Sequence, residues 1–462
     1  MDLEKRARRQ SFKVIISEMI MVITVIITVV ILAFLVSGYW VGSGLKIERQ
    51  GMLQIHSTPT GVNVAVDGDA PWYQRTNTSK VLSSGEHEII LTRDGYDTWS
   101  KTVSISEGLL YRIHYPRLFL LEREKSIEYE DIEANFATVS PDYNFVLLAN
   151  STTTWTLLNL NRDDIEETSV DVSKIFMSVS KADKAEAGLF TGKIITADWS
   201  SDNEHILFQV DDGETKEWVV LNVKNPKNSI NITREFAASF DDIRISDNSA
   251  SNLLGLRGGK LHKIDASGRH ISAILAEDVE SYDFYESEMV YISDNEAIYT
   301  KLNDDKIEII TKIDPESSTE IFISRFYDDK YISIVSDNKF TLFKQNGYEE
   351  TFAGEISFIP DEFKVGHAGS FIFMRKDENV AIFDMEIMEL REWQLDSIHY
   401  GWLDSNMLYS VTDGTLVVYD FDGLNRRELS HNVSARFPVT ITNNRWLYYF
   451  SDDTLVREVI AR

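Results

Sequence analysis

Nine histidines are the side chains best suited to proton transfer near neutral pH, and in this chain they are scattered. None stands in a His-Glu-x-x-His helix, which would bring two imidazoles onto one face for zinc, and none forms another close ligand pair. Cysteine is absent, which rules out a thiol nucleophile, a zinc-thiolate site and a disulfide framework. The chain also lacks a Gly-x-Ser-x-Gly elbow, a phosphate loop and a dinucleotide fingerprint. The acidic pairs Asp163-Asp164, Asp241-Asp242, Asp304-Asp305, Asp328-Asp329 and Asp452-Asp453 stand where turns are expected. A calcium site would need such carboxylates to converge with carbonyl oxygens, which a linear pattern does not establish. No residue is therefore assigned as catalytic, cofactor-binding or metal-ligating, and no cofactor is expected.

Membrane insertion is the one physical role the linear pattern supports directly. Met19 to Val36, MIMVITVIITVVILAFLV, contains no charge, and its only polar side chains are Thr24 and Thr28. At about 1.5 Å per residue, a helix of this length crosses a bilayer core of about 30 Å. The pattern predicts a transmembrane helix over 19–37, in contact with the lipid bilayer, after a cytoplasmic tail of residues 1–18. Lys5, Arg6, Arg8, Arg9 and Lys13 precede the run, and Tyr39 and Trp40 follow it at headgroup depth. This asymmetry predicts a single-pass protein of the cell membrane, with its N-terminus cytoplasmic and residues 45–462 outside. The alternative is a cleaved secretory signal, for which Ser37 and Gly38 are available.

Net charge is −28, with five basic and three acidic side chains in residues 1–44 and the whole acidic excess beyond them. Such a surface argues against nucleic acid as a partner and against direct docking on anionic lipid. After a Gly- and Ser-containing linker, residues 38–50, the texture changes to short β-type runs divided by turn residues. Val62, Val64 and Val66 share one strand face, and Asp67-Gly68 signals a tight turn. His87–Thr92 and Trp99–Ile105 read as further strands of a small antiparallel sandwich.

Ser57-Thr58-Pro59-Thr60-Gly61-Val62-Asn63-Val64-Ala65-Val66-Asp67-Gly68, with Leu82, Gly85-Glu86-His87 and Gly95-Tyr96, resembles the PEGA domain. Thr60 and Val62 replace the Glu and Ala of the Pro-Glu-Gly-Ala turn that names that family. The resemblance implies a β-sandwich over 51–117, of the kind found in bacterial and archaeal envelope and surface-layer proteins. It brings no catalytic residues.

Beyond Glu130, segments of roughly forty residues recur, each reading as four strands. The first opens with Phe136 to Asp142 and the second with Ala197 to Asp202; later units start near Ile243, Tyr282, Ile321, Phe363, Ile398 and Phe437. A four-stranded sheet cannot bury both faces alone, so stacking in a ring predicts a β-propeller over 118–462, with eight blades and seven as the alternative. The Ser-Pro-Asp and Trp-Ser-Ser-Asp openings resemble those of bacterial propellers related to the TolB family. Asp211-Asp212-Gly213-Glu214-Thr215 is superficially similar to the aspartate box of sialidase-type propellers, but its aromatic spacing is wrong and its place is an inter-strand turn. Val172, Ile175, Phe176 and Val179 fall at helical spacing behind Asp171, predicting a short amphipathic helix in the Asp171–Lys193 insertion. The eighth repeat supplies three strands, whereas Leu118–Tyr129 has strand character and no local partner. The reading is that part of Leu118–Tyr129 pairs with Thr454–Ile460 and closes the ring.

The fold class is thus mainly β: an anchor helix, a PEGA-like sandwich and a propeller. The function expected from it is a membrane-anchored, extracytoplasmic binding or scaffolding protein of the bacterial cell envelope, non-enzymatic, whose propeller recognises an unknown envelope protein or polysaccharide. The alternative is an envelope enzyme cleaving glycan or peptide from the propeller funnel. A sensor is disfavoured by the short cytoplasmic tail.

Overall fold

Backbone geometry and burial follow the strand–turn texture of the sequence. A computed structural model describes residues 18–30, 32, 33, 39–41, 47–70, 74–162, 164–176, 189–211, 213–246, 249–302, 304, 306–366 and 369–462. The chain divides into two units, Met1–Leu121 and Glu122–Arg462.

In the first unit, residues 18–30, 32 and 33 are helical. The hydroxyls of Thr24 and Thr28 donate to the carbonyls of Ile20 and Thr24, each at 2.8 Å, so neither threonine leaves a polar group unmatched. Residues 31 and 34–37 of the expected spanning helix lie outside the described residues. Among the described residues no helix is long and apolar enough to cross a membrane.

Among the described residues this unit has seven strands: β1 Tyr39–Val41, β2 Ile47–Ile55, β3 Asn63–Val66, β4 Thr78–Ser83, β5 Gly85–Thr92, β6 Trp99–Ile105 and β7 Leu110–Ile113. One sheet runs β1-β2-β4 with β7 also on β2, and the other runs β3-β5-β6. The alternation of β3 places Val64 and Val66 inside, opposite Leu91 and Ile89 of β5, and Leu53 and Trp99 are buried as well. Asp67 and Gly68 carry the positive φ of a tight hairpin turn, +51° and +79°. The sandwich is not wholly antiparallel: β7 pairs parallel with β2, Met52 opposite Leu110. The chain reaches that position by first crossing to the other sheet through β5 and β6, the kind of crossover that a parallel pair requires. Leu118 and Phe119 also stay in this unit, where the Phe119 amide donates to Asp97 Oδ1 at 2.7 Å, so the propeller begins after Leu121 and not at Leu118.

The second unit opens with β8, Lys125–Tyr129, and continues as eight successive four-stranded sheets. Blades 1 to 8 have the inner strands Phe136–Val139, Lys193–Trp199, Asp242–Ser246, Val279–Tyr285, Thr319–Phe326, Glu362–Val365, Tyr400–Asp404 and Thr440–Thr442. Consecutive blades bury apolar faces against each other. Leu147 and Trp155 meet Ile206 and Phe208 between blades 1 and 2, and Phe340 and Leu342 meet Ile372 and Phe383 between blades 5 and 6. Val146 and Leu148 of blade 1 pack with Phe437, Tyr448 and Phe450 of blade 8, which closes the ring into a β-propeller.

The expected rim helix is replaced at its start by a turn over residues 173–175. Asp171 ends a strand, and its carboxylate accepts from the Ser173 amide at 2.9 Å, which caps a turn. Val172, Ile175 and Phe176 are buried between blades 1 and 2, so their spacing reflects core burial. Val179 lies outside the described residues.

Ring closure occurs where the repeats run out. β8 pairs antiparallel with Thr454–Val459, Leu455 opposite Tyr129 and Glu458 opposite Lys125, as the fourth strand of blade 8. Glu458 is fully buried there. Arg123 and Ser430 donate to its carboxylate, and Lys125 Nζ lies 3.3 Å from Oε2. A carboxylate removed from water is tolerable only when so surrounded. Arg123→Met should destabilise the protein by about 3–5 kcal/mol, because it strands part of a buried charge. The double variant Arg123→Met/Glu458→Leu should recover most of that loss in denaturant unfolding.

Candidate functional site

The inner strands gather around the propeller axis, and their alternate side chains project into its channel. On blade 3 these are Asp242 and Arg244, two residues apart on one strand face; on blade 6 they are Glu362 and Lys364. A charge on the inner strand of blade 2, Asp198, and one on that of blade 6, Lys364, bias each other's ionisation, although the two blades stand opposite in the ring.

Most channel charges are matched by neighbours. Arg244 Nε donates to Asp242 Oδ2 at 3.1 Å, its guanidinium reaches 3.8 Å from Asp283 Oδ1 on blade 4, and it lies 4.8 Å over the Tyr282 ring. Asp283 Oδ2 accepts from the Ile323 amide of blade 5 at 3.0 Å, while Ser281 donates to Glu320 at 2.6 Å. Glu362 accepts from Arg375 Nε at 2.7 Å and from the Tyr400 hydroxyl of blade 7, and the Arg375 guanidinium stacks 4.4 Å over the Tyr400 ring. Burial first, and then the Glu362 carboxylate, push the Tyr400 phenol far above its ordinary value.

Two channel groups are different. Asp198 and Lys364 are both reached by solvent, yet protein surrounds them on the channel walls. Neither makes an ion pair or hydrogen bond among the described residues. The nearest companion of the Lys364 ammonium is the face of Trp402, at 5.8 Å. Desolvation raises the Asp198 carboxyl above the ordinary aspartate value, and Asp242 adds to this, while Lys364 and Arg244 oppose it. Desolvation lowers Lys364 below the ordinary lysine value, against the pull of Glu362 and Asp198.

The motifs prominent in the sequence have structural work. Ser140 Oγ accepts from the Phe145 amide at 2.9 Å and donates to Asp142 at 2.5 Å, which locks the blade 1 opening. In blade 2, Asp202 meets His205 Nδ1 at 2.6 Å and His205 Nε2 meets Asn222 at 2.9 Å. Asp211 accepts from the Gly213 amide at 2.8 Å in a hairpin turn; Asp212 lies outside the described residues. Among the described residues no three His, Asp or Glu converge as metal ligands would. A groove of about 450 Å³ between blades 2 and 3 includes Lys216, Thr233 and Asp241 in its wall, but Asp241 is already engaged by the Gly258 amide at 2.6 Å. The sequence reading missed the channel cluster, and the recurrent charges at alternate inner-strand positions were the available signal.

Comparison with known proteins bears first on the sandwich. Residues 50–116 match the PEGA domain. No curated protein matches the chain. Among solved structures, the chain is similar to the C-terminal WD40 domain of Sif2, with 12% identity, a TM-score of 0.47, and coverage of 73% of this chain and 98% of that one. It is also similar to Kluyveromyces lactis Hsv2, at 9% identity and TM-score 0.41 over 65% of this chain and 99% of that one. A third is an oligogalacturonate lyase in complex with manganese, at 11% identity and TM-score 0.38 over 57% of this chain and 88% of that one. Scores at this level carry no argument about activity.

Removing the Asp198 carboxylate should lower the Lys364 pKa further, because that carboxylate favours the charged amine. In Asp198→Asn, reductive ¹³C-methylation followed by NMR titration should place the Lys364 signal's midpoint below that of the parent protein.

Proposed function

We propose that this chain is a membrane-anchored, extracytoplasmic binding or scaffolding protein of the bacterial cell envelope, with the propeller as its recognition surface. The observation that carries the binding role is the state of the axial channel. Its Arg, Tyr and most carboxylate side chains are tied to one another, as a rigid wall requires, while Asp198 and Lys364 remain available to a ligand. The PEGA match over 50–116 supports an extracellular spacer or wall contact. Anchoring rests on the uncharged run Met19–Val36 and on the exposure of its described side chains, Met19 at 59% and Ile26 at 56% among them. Exposed aliphatic surface of this extent is costly in water and neutral in lipid. The partner is an envelope protein or polysaccharide and not nucleic acid, whose phosphates the −28 charge repels.

A second reading, cleavage of envelope glycan or peptide in the channel, is favoured by one observation: Glu362, Arg375 and Tyr400 converge there. Their mutual satisfaction favours the binder, since a general acid or base must keep a free position for substrate.

Protease added to intact spheroplasts should digest the bulk of the chain, and full protection of the C-terminal region would overturn the topology. The purified full-length protein, used as bait against envelope fractions, should retain a partner that Asp198→Asn/Lys364→Met releases. Reproducible turnover of envelope polymers, abolished by Glu362→Gln, would replace the binding reading with the enzymatic one.

A further inference from the structure

The groove between blades 2 and 3 holds about 450 Å³, within the size range of small-molecule sites, about 300–1,000 Å³. Gln209, Lys216, Thr233, Ser239, Phe240 and Asp241 stand in its wall. That wall is pinned by bonds of its own. The Trp218 amide donates to Thr233 Oγ1 at 2.8 Å, and the buried Trp218 indole donates to the Phe240 carbonyl at 3.1 Å. Both bonds clamp the segment holding Thr233 and Phe240 against the hairpin that carries Gln209 and Lys216. On blade 3, Asp241 Oδ2 accepts from the Gly258 amide at 2.6 Å, and the Asp241 amide donates to the Leu256 carbonyl at 2.8 Å.

Within this fixed frame the other polar groups are open. The side chains of Gln209, Lys216 and Ser239 make no hydrogen bond or ion pair among the described residues. Thr233 uses its hydroxyl oxygen as an acceptor, and its proton has no acceptor among them. Asp241 Oδ1 is open in the same sense. Gln209 is half-buried, so its amide is open to the groove and only partly to bulk water.

We propose that this groove binds a short neutral glycan. The site goes beyond the channel reading, since Asp198 and Lys364 take no part in it. A sugar hydroxyl both donates and accepts, so one polyol can meet an amide, two hydroxyls, an ammonium and a carboxylate oxygen together. Its hydroxyls also reproduce the bonds of the water they displace. Phe240, buried behind the polar groups, supplies apolar surface for the ring carbons. Charge selects against other ligands. Lys216 and Asp241 cancel within the wall, and the acidic excess of the second unit repels an anion. A simple cation finds acidic surface everywhere on this unit and gains no selectivity here.

The test uses the full-length protein in a detergent without a sugar headgroup, with binding measured by calorimetry. The neutral probes are cellobiose, maltose, lactose and N,N′-diacetylchitobiose; digalacturonate is the anionic probe and acetyl-dialanine amide the peptide probe. A neutral disaccharide should bind most tightly. Gln209→Leu keeps the volume and removes the donor and acceptor of the amide, and should weaken that binding about tenfold. Ser239 is exposed, so Ser239→Trp should fill the groove without disturbing the fold, and should abolish binding. Thermal melts that match the parent establish that each variant is folded, and Ser239→Trp decides the matter if Gln209→Leu does not fold. The proposal is overturned if no neutral disaccharide binds, or if digalacturonate or the peptide binds more tightly than all of them. It also falls if binding survives in folded Ser239→Trp. Neither substitution touches Asp198 or Lys364, so release of an envelope partner by Asp198→Asn/Lys364→Met tests the channel separately.

Discussion

The second unit depends on one strand pair, β8 against Thr454–Val459, and on the buried Glu458 that marks it. Each other blade is built from four consecutive strands and would form its own sheet wherever the ring happened to break. Blade 8 has only three of its own, and its fourth comes from the far end of the unit. Without β8, a hydrophobic sheet would expose an unpaired edge at the seam, and the apolar cluster joining blades 8 and 1 would lose its support. Glu458 makes this pairing selective. Its buried carboxylate is acceptable only next to Arg123, Lys125 and Ser430, so a strand lacking those bases is a poor substitute.

The ring also explains how the channel can be charged and still orderly. Inner strands present alternate side chains to the axis at a fixed spacing, so each blade contributes a predictable polar row. Arg244 bridging to Asp283, Ser281 to Glu320 and Tyr400 to Glu362 are contacts between successive blades. They orient the wall and spread its charge around the axis. The first unit has a different character: residues 45–121 carry equal numbers of acidic and basic side chains, so the acidic field belongs to the propeller.

Much of this architecture was legible in the chain because it repeats. Eight openings with aromatic or β-branched strands, turn residues such as Asn443-Asn444 and Asp452, and a last repeat one strand short were enough to place the blades and to anticipate that β8 would close them. Local pattern failed where tertiary burial competes with it. Val172, Ile175 and Phe176 have helical spacing, but Trp155 and Phe208 of two blades claim their side chains, and a turn presents all three to that core. The parallel β2–β7 pair was hidden for a related reason, since the strands between them belong to the other sheet. The channel was the least legible part. Asp198 and Lys364 acquire meaning only when blades 2 and 6 are set across a common axis, a relation that no window of sequence contains.

The separation of Arg123 from Glu458 by 335 residues has a consequence for biosynthesis. A ribosome adding about 5–20 residues per second needs on the order of half a minute to make the intervening chain. During that interval β8 has emerged and its mate does not yet exist. Seven blades can collapse on their neighbours as they appear, each through local contacts, but the seam must wait for the final strand. Nascent chains are therefore most open to chaperones and to mispairing with other edges at one defined strand. Until Thr454–Val459 has been made, the blades form an arc with an unpaired edge, and its pairing with β8 turns that arc into a ring.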